Sequence, residues 1–173
     1  PDLFSSDDRN TPMKRAFWDH TLMRKDGEDH LRDRMAMAPA YAPKVIQSDW
    51  MPYYEKTAET YIAQLERGET VDLFEVLSGA YAARGLAFLL GIEDASDNEM
   101  IEWSQALING AGNFGWHPEP FERADCANEA IHQLLDGLQD RYRDKPNNSA
   151  FSVMLNADDP ISEKQMYANI KIA

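Results

Sequence analysis

Apolar residues recur along most of this chain at three- and four-residue spacing. No stretch sustains a two-residue alternation flanked by hairpin turns, so the pattern predicts a mainly α fold. Asp26 is a good N-cap and predicts a helix over 27–37, with the Asp29 charge in its first turn. Ala58, Tyr61, Ile62 and Leu65 mark a helix over 54–66. Asp72, with Glu75 three residues on, resembles a capping box. It opens a long helix through "LFEVLSGAYAARGLAFLLG" that is apolar on nearly all sides, hence expected to be central, and that Gly91 can close. Asp97 is placed to cap a helix carrying Met100, Trp103 and Leu107, which should dissolve into a loop or hinge across "NGAGNFGWHPEP" at 109–120. Phe121, Ala124, Ala127, Ile131, Leu134, Leu135 and Leu138 then draw one face of a long helix over 121–144, ending before Pro146. A short helix is expected at 149–155, and Ser162 with Gln165 forms a further capping box for a helix running to the end of the chain.

No repeat, low-complexity tract or domain-sized linker divides the 173 residues. The chain opens on Pro and closes on "KQMYANIKIA", a helical pattern without a stop signal. The expectation is a single partial domain over 1–173, truncated at both ends. The longest apolar run, "GLAFLLGI" at 85–92, is far short of the ~20 residues of a membrane span. Nothing reads as a signal peptide, and the single cysteine, Cys126, permits no internal disulfide. A cytoplasmic protein with no membrane partner is therefore expected. The net charge of −13 argues against nucleic acid as a partner, since backbone binding relies on Lys and Arg displacing counterions. Residues 9–44 break that pattern, with eight Lys or Arg against five Asp or Glu, and form a basic region in an acidic chain.

Within that region lies "KDGEDHLRDRM", residues 25–35. On a helix starting at 27, His30 and Arg34 stand at i and i+4 on one face and offer two donors a turn apart. Such a pair suits two carboxylates or phosphates on one ligand, or else a solvated, salt-bridged helix face. Glu129 and His132 make an E-x-x-H, half of the motif that di-iron bundles take from two helices. No second copy exists, and a polar helix face is the plainer account. His20 and His117 show no ligand spacing, and Cys126, beside Ala124, Ala127 and Glu129, reads as a small helix-packing residue. "GAGNFG" follows a helix rather than a strand, the wrong context for dinucleotide binding. No residue is assigned to catalysis or to a metal.

Arrangement is more specific than any single motif. Four stretches, "LFSSDDRN" at 3–10, "MRKDGEDHLRDRMAMAPAYAP" at 23–43, "LAFLLGIED" at 86–94 and "SAFSVMLNADDPISEKQMYANIKIA" at 149–173, follow one another in an order and spacing that resembles the amino-proximal half of a cytochrome P-450, a haem-thiolate monooxygenase. The second carries the D-G-x-x-H-x-x-x-R of that family's helix C and the P-A-aromatic-x-P after it. The resemblance implies a cytochrome P-450-like helical domain from helix B' to the start of helix I. The whole protein would be an enzyme inserting one atom of dioxygen into a small apolar or aromatic organic substrate; the alternatives are a non-catalytic all-α binding or scaffold domain and, more weakly, a di-iron bundle.

By the same resemblance, His30 and Arg34 hydrogen-bond the haem propionates, Phe17, Leu22 and Met23 lie in the B–C loop over the haem, and Phe114 and Trp116 lie in the F–G region that lids the substrate pocket. A ferredoxin or flavin reductase, separate or fused, would supply electrons, with Arg24, Lys25 and Arg32 as candidates to meet it. The family's F-x-x-G-x-x-x-C-x-G iron-ligand loop and the E-x-x-R of its helix K are absent, so the iron ligand is expected outside these residues and the fragment alone is not expected to be active.

Overall fold

A computed structural model describes residues 5–7, 10–65, 68 and 70–172. Residues 3, 4, 8 and 9 of the stretch 3–10 and residue 66 of the helix expected over 54–66 lie outside that set. The described residues form helices and turns with no strand: α1 Met13–Phe17, α2 Gly27–Met37, α3 Pro43–Val45, α4 Met51–Ile62, α5 Gly79–Leu90, α6 Asp97–Ala111, α7 Pro118–Asp144, α8 Ala150–Leu155 and α9 Glu163–Ile172. Among them no helix is long and apolar enough to cross a membrane.

Local chemistry explains most boundaries. Helix α2 covers the expected 27–37, but Asp26 caps nothing. Its carboxylate instead accepts from Ser5 Oγ and the Ser6 amide, both at 2.7 Å. Helix α4 begins earlier than its apolar spacing implies and follows directly on a π-helical turn, Ile46–Trp50, in which the Met51 amide reaches Ile46 O. Pro52 explains the wide turn, because it offers no N–H and crowds the carbonyl four residues back. Ser96, not Asp97, caps α6 through a complete box with Glu99. Asp97 is thereby freed to take Arg84 at 2.6 Å and the Tyr61 hydroxyl.

The loop expected over 109–120 shrinks to 112–117, since α6 continues to Ala111 and Pro118 opens α7. A proline in the first turn gives up an amide that has no helical partner anyway. Asn113 holds this short loop closed, donating Nδ2 to His117 O at 2.7 Å and accepting the His117 amide at 3.1 Å. The box at Ser162 and Gln165 forms as expected.

Helices α6 and α7 pack side by side with α1 across them. Helix α5 joins α6 to α4, and α8 links α2, α7 and α9. The helix expected to be central is a wall of this chain: α5 buries Ala83, Gly85, Ala87 and Leu90 on one side, while Leu73 and Phe74, ahead of it, are 56% and 57% exposed. Gly85 permits the contact with α4, because a Cβ there would stand 2.3 Å from Tyr54 Cε1. The deepest packing lies where α7, α8 and α9 meet around Leu135, Phe151, Met154 and Tyr167. Each large apolar side chain buried there contributes roughly 1.5–3 kcal/mol.

Candidate functional site

Helix α2 divides its residues among three directions. Asp33, Ala36 and Met37 are buried; Leu31 and Met35 face outward, 56% and 62% exposed; His30 and Arg34 share the remaining flank. That flank is one wall of an open cavity of about 720 Å³. Leu22 and Met23 enter it from the 3-10 turn Leu22–Arg24, Met37, Ala38 and Tyr41 from the end of α2 and the turn after it, and Asn169 and Ile172 from α9. The space is thus apolar on most sides, with an imidazole and a guanidinium together at one edge.

The state of those two side chains sets them apart. Arg15, Arg32, Arg84, Arg123, Arg141 and Arg143 are each paired with a carboxylate, and Arg24 donates to Thr11 Oγ1. Among the described residues, His30 and Arg34 make no side-chain hydrogen bond or ion pair. Asp26, one turn before His30, is engaged by Ser5 and Ser6, whose bonds hold its carboxyl below the usual carboxylate range, with His30 contributing. Two unpaired donors on a largely apolar cavity give this place anion-binding capacity. A flat apolar ligand carrying two carboxylates would suit this donor set, with His30 and Arg34 available to its carboxylates and Leu22, Met23, Met37 and Ile172 to its ring.

A buried polar group lies behind the cavity wall. Asp33 Oδ2 takes Lys25 Nζ at 2.5 Å and Asn169 Nδ2 at 2.9 Å, and Asn169 Oδ1 accepts the Leu22 amide at 2.8 Å. Lys25 is therefore not a free surface cation: its side chain is 9% exposed and tied to Asp33, at 1%. Arg32 is exposed and paired with Asp29. Local sequence gave no sign of this group, since Asn169 lies 136 residues from Asp33.

The structure brings Leu22, Met23, His30 and Arg34 to one cavity, but Phe17 is elsewhere. It is 1% exposed in the core and lines a second, smaller cavity of about 230 Å³ with Leu90, Leu107 and Ile131. Ile172 borders both cavities. Phe114 and Trp116 stand 68% and 53% exposed on the short loop between α6 and α7, Trp116 against Phe121 with ring centres 5.6 Å apart. Cys126 is exposed on α7 rather than packed between helices. Glu129 is exposed, whereas His132 sits between Trp18 and Tyr167 with Lys171 Nζ 3.1 Å from Nε2. Among the described residues no group of three or more His, Cys, Asp or Glu could hold a metal ion.

No protein-family model matches the chain. It is 21% identical over 160 residues to the putative cytochrome P450 YjiB of Bacillus subtilis (strain 168), covering 91% of this chain and 39% of that protein. It is 23% identical over 157 residues to the polyketide biosynthesis cytochrome P450 PksS of the same organism, covering 87% of this chain and 36% of that protein. Among solved structures, the cytochrome P450 enzyme CxnD for C–S bond formation in chuangxinmycin biosynthesis superposes with a TM-score of 0.79 at 18% identity, over 97% of this chain and 42% of that one. P450BioI, solved in complex with a hexadec-9Z-enoic acid-ligated acyl carrier protein, gives 0.76 at 17% identity, over 95% and 42%. The chain thus resembles cytochromes P450 along nearly its whole length, shares their helical-domain fold, and spans about two-fifths of the length of the proteins it matches.

Proposed function

We propose that this chain, with the helical-domain fold of the cytochromes P450, is the amino-proximal part of a haem-dependent monooxygenase, and that His30 and Arg34 bind the two propionates of its haem. The observation that carries this reading is the imidazole of His30 and the guanidinium of Arg34, both unpaired on an otherwise apolar cavity, at the helix-C positions of the resemblance. A scaffold domain gives no reason to leave an arginine unpaired in a chain where the other described arginines have partners. When bound, the haem would supply the dioxygen activation.

The chain's own contribution is binding and orientation. Arg34 would offer its forked N–H groups, and His30 a ring N–H, to the carboxylates. Leu22 and Met23 would lie against the ring and bound the space for a small apolar or aromatic substrate, and Met37 and Ile172 would keep water from its edge. Phe17, Phe114 and Trp116 are proposed to shape the route to that space: Phe17 through core packing beside it, the other two from the loop between α6 and α7. A ferredoxin or flavin protein, separate or fused, would deliver electrons in the cytoplasm. Of the basic residues that the resemblance offers for its docking, Arg24 and Arg32 are proposed, and Lys25 is not, because it is held against Asp33.

The test uses the full-length protein with His30→Ala and Arg34→Ala combined. Charge-assisted hydrogen bonds contribute about 1.5–3 kcal/mol each, so haem affinity should fall at least tenfold, read as Soret absorbance per protein after gel filtration. Wild-type occupancy would sink the assignment.

A further inference from the structure

We propose that Asp33, with Lys25 and Asn169, is a positioning clamp that fixes the rotation of α2 and so places His30 and Arg34; the inference rests on the function proposed above for that pair. Asp33 is next to Arg34 in sequence and three residues after His30, so on a helix it points about 100° from the one and about 60° from the other. It cannot touch a ligand held by them; it can set only where they stand. The clamp reaches three walls of the cavity. Lys25 and the Leu22 amide belong to the segment just before α2, Asp33 to α2 and Asn169 to α9, and all converge on two side chains that are essentially inaccessible to solvent.

Directional bonds at this point do what apolar packing would not. A leucine at position 33 could fill the space, yet would allow α2 to turn while remaining buried. A rotation of roughly 15° moves a group about 6 Å from the helix axis by about 1.5 Å, beyond the ~0.5 Å tolerance of a working constellation. A buried ion pair adds little net stability over an apolar pair of the same volume, so retaining one here is better explained by register than by stability. Most of the described carboxylates face water or pair at the surface, whereas Asp33 lies within the α2–α9 contact.

The experiment compares two probes on the cofactor-free full-length protein: haem, and haem dimethyl ester, which keeps the macrocycle and lacks both carboxylate charges. Asp33→Leu combined with Lys25→Met removes the clamp without stranding a charge. Haem affinity should fall about tenfold, while affinity for the dimethyl ester stays near wild type; the thermal midpoint of the cofactor-free protein should fall only modestly, because Asn169 Nδ2 loses its acceptor. An equal loss for both probes, or no loss for either, would overturn the clamp, the first pointing to packing alone. If that double variant does not fold, Asn169→Leu, which leaves the Lys25–Asp33 pair intact, is read by the same two probes and the same outcomes. His30→Ala with Arg34→Ala is run alongside. Should it fail to separate haem from the dimethyl ester, the propionate reading itself fails. Should it separate them while the clamp variants do not, only the clamp fails.

Discussion

Two lysines are drawn into the interior on opposite sides of α9, and only one of them meets a carboxylate. Lys25 pairs with Asp33, which Asn169 also holds. Lys171, two residues along α9 from Asn169, donates to Phe17 O at 2.7 Å and Asn128 Oδ1 at 2.6 Å and lies beside His132. Its surroundings are neutral acceptors and rings, and burial pushes its ammonium down to about 8, with Lys164 adding to the shift and Asp19 opposing it. His132 follows the same logic: burial first and Lys171 second push it down to about 4. The first side uses full charges to hold a geometry. The second ties α9 to α7 and to the 17–18 turn with dipoles and remains sensitive to protons.

The largest expected effect comes from breaking the charged side unevenly. Asp33→Ala alone leaves Lys25 buried without its partner and should destabilise the full-length protein by about 3–5 kcal/mol, read from urea unfolding. Adding Lys25→Met should recover most of that loss. If the single variant proves as stable as wild type, Lys25 has another route to solvent and the contrast with Lys171 disappears.

Lys171→Met should have a smaller effect. It orphans Phe17 O and Asn128 Oδ1, a penalty of about 1–3 kcal/mol, but also removes an ammonium that burial disfavours, so a net loss on the order of 1 kcal/mol is expected. The pH dependence is more diagnostic. The folded value near 8 lies below the ordinary lysine value of 10.5, so the unfolded chain binds more protons between them, and stability should rise as pH goes from 8 to 10.5. Lys171→Met should remove that rise relative to wild type; an identical slope in both proteins would show that the ammonium is not held as the structure has it.

The same comparison marks how far the sequence could be read. Helix α8 and the box at Ser162 were legible because their signals lie within one turn of the boundary; α2 forms over the expected residues although Asp26 does not cap it. The start of α6 was assigned to Asp97 one residue late, since Ser96 and Asp97 are both good caps and only the tertiary demand of Arg84 and Tyr61 decides between them. The two prolines that suggested a hinge instead open α7, because the turn before them is closed by Asn113. At the candidate site, the i, i+4 spacing of His30 and Arg34 left a solvated helix face equally open and only the resemblance gave the pair a role; the structure sets them with Leu22 and Met23. Asp33 was unreadable: its charge looked like one more member of a solvated helix, and its partner lies on α9. Phe17 was expected over a ligand and is packed in the core, since an aromatic in a loop pattern carries no information about which helices will close over it.

The smallest expected effect sharpens the neutral side at acid pH. His132 packs edge-on to Trp18 at 5.2 Å and to Tyr167 at 4.8 Å, and Asp136 and Glu163 are the acidic groups near enough to favour its protonation. These carboxylates do not outweigh burial and Lys171, so the folded protein resists the proton until about pH 4, whereas an ordinary histidine takes it near 6.5. Between those values the unfolded chain binds the extra proton, and stability should fall as pH drops from 6.5 through 4. Most carboxylates of the chain lose their stabilising charge in or below the same window, so wild type alone cannot isolate the histidine. His132→Phe keeps a ring between Trp18 and Tyr167 and removes the titrating group. The difference in unfolding midpoint between His132→Phe and wild type should move in favour of the variant as pH falls from 6.5 to 4, by a few tenths of a kcal/mol to about 1 kcal/mol, given that the site is only half buried. A difference that stays constant across that range would mean that the imidazole reaches water in solution, and the dipolar side of α9 would then be less closed than its charged counterpart.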